Sequence, residues 1–345
     1  MLISDFDYEL PEELIAQQPL AERDASRMLV LNRANGSFQD SVFRSLPDYL
    51  RPNDVVVLNN TRVFPARLIG QRAPTGGAVE LLLLREIENS IWEALARPAR
   101  RLRAGARLSF GGARLMAEVI DELEHGRRLI RFETTEDLTK LIDELGRTPL
   151  PPYIKRDAGE YSGDREQYQT IYASQRGAIA APTAGLHFTP ATLFALKESG
   201  VPTVEITLHV GYGTFEPVAV TEIDKHQVAP EYFSVSADAA DKINQARAQG
   251  GRVICVGTTT ARALESAFRD DAGVMGGSGA AGLTIIPGYR FRAVDVMLTN
   301  FHLPRSSLLL LVSAFAGRDL TLDAYRHAVR ERYRFYSFGD SMLIV

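Results

Sequence analysis

Between Val63 and Glu133 the chain breaks into short apolar runs, Val63 to Ile69, Val79 to Leu84, Ile91 to Arg97, Arg107 to Phe110, Leu115 to Ile120 and Leu129 to Phe132, parted by glycine, proline or charged turns. Six β-like runs with no helical period among them predict a small antiparallel barrel. On either side the pattern changes. Apolar strands alternate with helical stretches at Pro190 to Ser199, Ala237 to Gln249 and Thr260 to Phe268, the mark of a layered α/β unit. The expected fold class is therefore α/β: a layered α/β main domain over residues 1–62 and 148–345, carrying an inserted six-stranded antiparallel β-barrel domain over residues 63–147.

Local signals add detail. Thr189 before Pro190 reads as an N-cap with proline in the first turn, and Thr258 to Thr260 as the cap of the helix that runs through Ala261 to Leu264. Arg269 to Leu283, rich in glycine and alanine, reads as a mobile loop or hairpin tip. Leu308 to Val312 is the strongest apolar run. It is far shorter than the roughly 20 residues of a membrane helix and reads as a buried strand or helix segment.

Composition narrows the class. With 345 residues, 45% hydrophobic and 24% charged, there is apolar material for two cores. The net charge of -4 gives no global attraction to nucleic acid or membrane, so RNA contact would need a local basic patch. Asp5, Asp7, Glu9, Glu12 and Glu13 at the start do not fit a secretory signal, and a cytoplasmic protein is expected. No long exposed apolar helix demands a partner, so a monomer is expected. The single cysteine, Cys255, lies inside Val253 to Val256; it excludes an intrachain disulfide and reads as an inert core thiol.

The candidate chemistry sits in four runs: Ala181 to Thr189 (APTAGLHFT), His209 to Phe215 (HVGYGTF), Gly257 to Thr259 (GTT) and Thr299 to Pro304 (TNFHLP). Each follows or interrupts an apolar β-like stretch, so a sheet would present them toward one cleft. That points to a polar substrate bearing a phosphate or a nucleoside. Free N–H groups at the Gly257-Thr258-Thr259 turn would suit a carboxylate or phosphate, although a plain N-cap explains the turn equally well. Gly211 and Gly213 would let a ligand approach the backbone while Tyr212 and Phe215 offer faces to a purine. A strand bulge is the competing explanation.

Of six histidines, His187, His209 and His302 fall in these runs and His226 lies just downstream, near Glu231. Imidazoles titrate near neutral pH and so suit proton transfer. No pair has metal-ligand spacing, and no metal site is expected. Arg97, Arg100, Arg101, Arg103 and Arg107 group on the barrel with no acid among them, Lys155 and Arg156 follow Pro151-Pro152-Tyr153, and more arginines crowd Arg326 to Arg334. Such patches suit RNA or are simply solvated surface.

Longer motifs span the chain: Asp5-Phe6-Asp7, Asn59 to Arg67 (NNTRVFPAR), Gly146 to Arg156 (GRTPLPPYIKR), Tyr168 to Ala173 (YQTIYA), Ala180 to Thr189, Leu208 to Val218, Val256 to Ser266, Thr299 to Gly317 and Tyr333 to Asp340 (YRFYSFGD). In these the chain resembles the S-adenosylmethionine:tRNA ribosyltransferase-isomerase family of queuosine biosynthesis. The resemblance implies transfer of the ribosyl part of S-adenosylmethionine to the 7-aminomethyl-7-deazaguanine wobble base of tRNA. Adenine and methionine leave and epoxyqueuosine remains. S-adenosylmethionine would be a co-substrate, with no tightly bound cofactor and no metal.

Within that reading the proton transfers fall to His209, His226 and Glu231, the titratable groups nearest the glycine turns, with His187 and His302 orienting substrate. Gly185, Gly211, Gly213, Thr214, Phe215, Gly257, Thr258 and Thr259 would surround the co-substrate, while Arg97, Arg100, Arg101, Lys155 and Arg156 would meet tRNA phosphates. Two positions depart from the family pattern. Asn60 replaces a common aspartate, and Ala229 replaces the second histidine of a His-x-Met-His-x-Glu run that here reads His226 to Glu231. A mechanism that needs a histidine at 229 cannot operate in this chain. Ribosyl transfer to a different nucleobase and non-catalytic RNA binding remain the alternatives. An ordinary methyltransferase is disfavoured, because the Gly-x-Gly run lies mid-chain instead of opening a Rossmann unit.

Overall fold

The computed structural model describes residues 1–156, 163–215 and 218–345, with Thr214 and Phe215 described by backbone only. Its main feature is a nine-stranded mixed sheet, in the order Gly277–Ala281, Glu231–Val235, Thr203–Leu208, Val55–Asn59, Val253–Val256, Val296–Asn300, Ser341–Ile344, Arg27–Asn32 and Ser37–Val42. The four central strands, Thr203–Leu208 to Val296–Asn300, run parallel. Their residues alternate between two cores as a period of two requires. Val55, Val57, Val253 and Cys255 join one core, with Ile243, Leu264, Leu310 and Tyr325 from the helices on that face. Val56, Leu58, Ile254 and Val256 join the other, with Phe43, Leu46 and Leu196. The result is the expected layered α/β unit.

The barrel is closed and antiparallel, in the order Arg127–Glu133, Ile91–Arg97, Gly77–Glu88, Arg67–Ala73, Arg107–Phe110 and Leu115–Glu122. It has its own core, including Leu68, Leu81, Leu83, Phe110, Val119 and Ile130. Helix Leu138–Leu145 packs Leu141 and Ile142 into that core and is capped by Asp137, whose carboxylate accepts from the Lys140 amide at 3.1 Å. At Gly70 a Cβ would stand 2.4 Å from the Ser109 carbonyl oxygen and 2.4 Å from the Phe110 ring. Only glycine allows the two strands this approach.

Four local expectations are refined. The run Val63 to Ile69 is split. Thr61–Val63 pairs with Gln175–Ala178 outside the barrel, and the barrel strand starts at Arg67, beyond Pro65, which has no N–H for a ladder. The helix expected from Thr260 starts at Thr258, and Gly257, at φ 91°, is its N-cap; Thr260 instead returns its hydroxyl to the Val256 carbonyl at 2.6 Å. Arg269 to Leu283 contains ordered structure, a small Phe268–Arg269/Gly273–Val274 hairpin and the edge strand Gly277–Ala281 on Glu231–Val235. Leu308 to Val312 belongs to the helix Ser307–Ala316.

Thr189 does cap its helix, accepting from the Thr192 amide at 3.2 Å. Cys255 is buried, which raises its thiol pKa. Among the described residues no helix is long and apolar enough to cross a membrane.

Candidate functional site

The carboxyl ends of the four parallel strands carry four polar segments: Asn59 to Thr61, His209 to Gly213, Gly257 to Thr259, and Asn300 to Pro304. Open α/β sheets bind ligands at this edge. Asn59 locks three of the segments together. Its Nδ2 donates to the Leu208 carbonyl at 3.0 Å and toward Thr259 Oγ1 at 3.4 Å, while its Oδ1 accepts from the Leu208 and Thr61 amides at 3.0 and 3.2 Å.

Between this edge and the barrel lies a cleft of about 510 Å³. Its sheet-side wall holds Gly211, Gly213, His226, Glu231, Arg262 and Ser307. Glu231 Oε1 accepts from the Gly211 amide at 2.7 Å, and Oε2 is held by a charge-assisted bond from Arg262. Arg262 is itself buried and donates to the Ala281 carbonyl at 2.7 Å. An ion pair removed from water survives only with such extra hydrogen bonds. His226 Nε2 shares a 2.7 Å hydrogen bond with Ser307 Oγ, and burial lowers the imidazole pKa below its usual value. It is therefore an unprotonated base at neutral pH. The barrel side adds a charged triad: buried Glu93 accepts from Arg85 and from Arg127, each at 2.8 Å.

The other residues singled out from the sequence are placed differently. His209 shares a 2.8 Å bond between Nδ1 and Thr61 Oγ1 and stacks on Tyr232; burial lowers its pKa. Gly177, at φ 156°, makes room for it, since a Cβ there would lie 2.6 Å from His209 Nε2. His209 does not line the cleft. His187 is buried, bonded to Ser26 Oγ at 2.7 Å, facing Asn300 Nδ2 at 3.2 Å and stacked on Phe43. Burial, with the Arg334 charge, takes its pKa down to about 3. His302 bonds Thr299 Oγ1 at 2.8 Å, and burial brings it to about 3 as well. Both are neutral imidazoles at physiological pH.

Thr258 and Thr259 are buried, and with Gly257 they lie outside the cleft lining; Gly185 packs under Tyr172, whose hydroxyl would stand 2.1 Å from a Cβ. The side chains of Thr214 and Phe215 fall outside the described residues. Arg97, Arg100 and Arg101 are exposed on the barrel. Lys155 is exposed and paired with Glu12, whereas Arg156 is drawn inward onto buried Asp164, at 2.7 Å from Nη2. The C-terminal arginines meet acids, Arg326 with Asp323 and Arg330 with Glu331.

The two departures from the family pattern have physical settings. Asn60 gives a hydrogen bond to Glu205 Oε2 at 3.0 Å and takes one from Thr207 at 2.7 Å. An aspartate there would set two carboxylates against each other. Ala229 lines the cleft with its Cβ 3.4 Å from where a Cβ on Gly213 would stand.

Sequence reasoning passed over Arg262, Ser307, Glu93, Arg85 and Arg127. Only Arg262 left a trace, as a lone charge in the small-residue run Thr258 to Ala263. The others are ordinary surface types until the fold buries Glu93 and sets Arg85, Arg127 and Ser307 along the cleft. Among the described residues no cluster of three His, Cys, Asp or Glu side chains could hold a metal ion.

Comparison with known proteins puts this site in context. The family described as queuosine biosynthesis protein matches residues 3–344. A protein of Halothermothrix orenii named S-adenosylmethionine:tRNA ribosyltransferase-isomerase is 48% identical over 345 residues, the whole of both chains. One of the same name from Clostridioides difficile is 49% identical over 344 residues, covering 100% of each. The crystal structure of S-adenosylmethionine tRNA ribosyltransferase from Thermotoga maritima is 38% identical with a TM-score of 0.57, over 99% of this chain and 100% of that one. A match that runs from the third residue to the penultimate one, with relatives near half identical end to end, means that the chain belongs to the queuosine biosynthesis protein family.

Proposed function

We propose that the chain transfers the ribosyl moiety of S-adenosylmethionine onto 7-aminomethyl-7-deazaguanine at the wobble position of tRNA and isomerises it, releasing adenine and methionine and leaving epoxyqueuosine. The names of its full-length relatives support the reaction class. The observation that carries the reading onto this chain is His226, an unprotonated imidazole in a cleft beside the Arg262–Glu231 pair.

A sulfonium acidifies the adjacent 5′ carbon, and a neutral imidazole can take that proton. His226 is assigned this step, and its protonated form can then return a proton to a leaving group. Glu231, fixed between Arg262 and the Gly211 amide, holds the glycine turn in shape. His209, bonded to Thr61, orients its own loop. His187 and His302 act by packing, since neither takes up a proton near neutral pH.

The barrel, read as an inserted domain over residues 63–147, turns Arg85 and Arg127 to the cleft and exposes Arg97, Arg100 and Arg101 for tRNA phosphates. Lys155 is a further phosphate contact; Arg156 is a structural ion pair. We place the reaction in the cytoplasm, with a monomer using S-adenosylmethionine as consumed co-substrate and no tightly bound cofactor.

The test is to incubate the protein with S-adenosylmethionine and tRNA bearing the 7-aminomethyl base, then follow adenine release and the mass of the modified nucleoside. Adenine together with the epoxyqueuosine mass is expected. Adenine with a different nucleoside mass would mean another acceptor, and no adenine despite binding of both substrates would sink the reaction.

A further inference from the structure

A second cavity, of about 390 Å³, lies on the far side of Leu308 from the cleft; that side chain, in the first turn of helix Ser307–Ala316, lines both. Its walls come from segments distant in sequence, among them Tyr153, Tyr168, Ala181, Asn300, Leu303 and Tyr336. None of its lining residues is acidic, and its one arginine, Arg305, is paired with Asp7 at an exposed position. His302, on the wall, is neutral. Apart from that arginine the cavity lining is uncharged, aromatic and hydroxyl-bearing, in contrast to the cleft beside it.

Three buried polar atoms of its lining residues, Asn300 Oδ1 and the Tyr168 and Tyr336 hydroxyls, have no hydrogen-bond partner among the described residues. The Asn300 amide cannot simply turn over. Its Nδ2 donates to the Tyr336 and Asp340 carbonyls at 3.1 and 3.4 Å, which leaves Oδ1 as the open acceptor of a side chain only 2% exposed. Tyr336 sits at φ 72°, an uncommon conformation for a bulky residue. Unmatched acceptors and backbone strain of this kind are costly and concentrate where a ligand completes them.

We infer that this cavity seats the adenine of the S-adenosyl co-substrate, a neutral planar heterocycle that gives an N–H to Asn300 Oδ1 and takes a hydrogen bond from the Tyr336 hydroxyl. Adenine's exocyclic amine and the adjacent ring nitrogen carry that donor–acceptor pair. The inference rests on the reaction proposed above. It divides the substrate at Leu308, with the uncharged base in the neutral cavity and the sulfonium in the cleft beside His226 and Glu231. The 7-aminomethyl-7-deazaguanine base fits the cavity poorly, because its ammonium group would be desolvated against walls that offer no acid.

Photolabelling of the full-length chain with 8-azidoadenine tests the placement. Labels at Pro152 and Tyr153, at Leu303 to Ser306 or at Tyr336 and Ser337, blocked by free adenine, are expected. Labels at Gly211 to Gly213 or His226 to Glu231 would overturn it. Calorimetry tests the pairing: hypoxanthine, which sets a carbonyl against Asn300 Oδ1, should bind about tenfold more weakly than adenine.

Tyr336→Phe, which keeps the ring, should weaken adenine by about fivefold to tenfold. Equal affinity for the two bases, an unchanged Tyr336→Phe, or no adenine binding up to about 1 mM would each defeat the inference. Adenine release from S-adenosylmethionine with substrate tRNA, measured on the same preparation, separates the two levels. Turnover with labels in the cleft removes the cavity assignment and leaves the reaction standing. Labels in the cavity without turnover keep the purine site and remove the reaction.

Discussion

The two hollows either side of Leu308 are made from the same sheet edge, yet they differ in kind. The cleft is charged, with Glu231 on Arg262 and Glu93 between Arg85 and Arg127; the cavity is neutral, lined by tyrosines, an asparagine and a histidine held uncharged. Charges in a half-enclosed site are costly to desolvate unless paired, and they are retained where a substrate is itself charged or a proton moves. The contrast teaches where chemistry and where recognition belong. The titrating base and the ion pair face the cleft, and the unmatched hydrogen-bonding atoms face the cavity.

Breaking the cleft at its ion pair should have the largest effect. Arg262→Met takes the buried cation away from Glu231 and is expected to cost about 3–5 kcal/mol of stability, read as the shift in a urea unfolding curve. A second change, Glu231→Gln, should restore part of it, and a double variant no better than the single would show that the two do not act as a pair. His226→Asn should leave stability nearly intact while lowering kcat by about 10²- to 10⁴-fold. The pH profile sharpens this. Burial lowers the His226 pKa, so activity should be lost as pH falls and the imidazole takes up a proton, with the acid limb below about 6.5. A variant that keeps both the rate and the limb would move the base elsewhere.

The neutral side has its own signature. His187 and His302 have pKa values of about 3 in the folded chain, against about 6.5 unfolded. Between these values the unfolded chain binds protons that the folded chain does not, so stability is whole above about pH 6.5 and falls as pH drops, by up to about 1.4 kcal/mol per pH unit for each histidine. Urea midpoints taken at descending pH should show that slope, and His302→Gln should reduce it; an unaltered slope would mean that His302 is not held neutral. The smallest effect is on the barrel. An Arg100→Ala/Arg101→Ala pair should flatten the dependence of log tRNA affinity on log salt by about two, and an unchanged slope would clear these arginines of phosphate contact.

Much of the architecture was legible along the chain. Five of the six barrel strands fall on the runs read from alternation, and the three helices begin within two residues of their expected starts. The misplacements are local. Gly257 rather than the threonines caps its helix because a positive φ is needed there, and Arg269 to Leu283 pairs its glycines on a sheet edge through backbone alone. The site was read less completely. His226 and Glu231 do face one cleft, but His187, His302 and the Gly257 turn are packed into the protein, and Arg262, Asn300 and Tyr336 gave little sign of what they would do.

The sequence by itself determined the layers and the barrel, because periodicity and turn residues act over a few positions and survive any arrangement of the rest. It also marked three of the polar runs at the ends of the parallel strands, those beginning at His209, Gly257 and Thr299; the fourth segment at that edge is Asn59 to Thr61 and not the run Ala181 to Thr189. Only the tertiary structure decided which of their side chains titrate, pair or stand open. Asn300 owes its open acceptor to carbonyls at 336 and 340, and Glu231 owes its partner to a helix 31 residues away. Desolvation and hydrogen bonding are set by whatever the fold brings alongside, and that neighbourhood is not written in the residues next door.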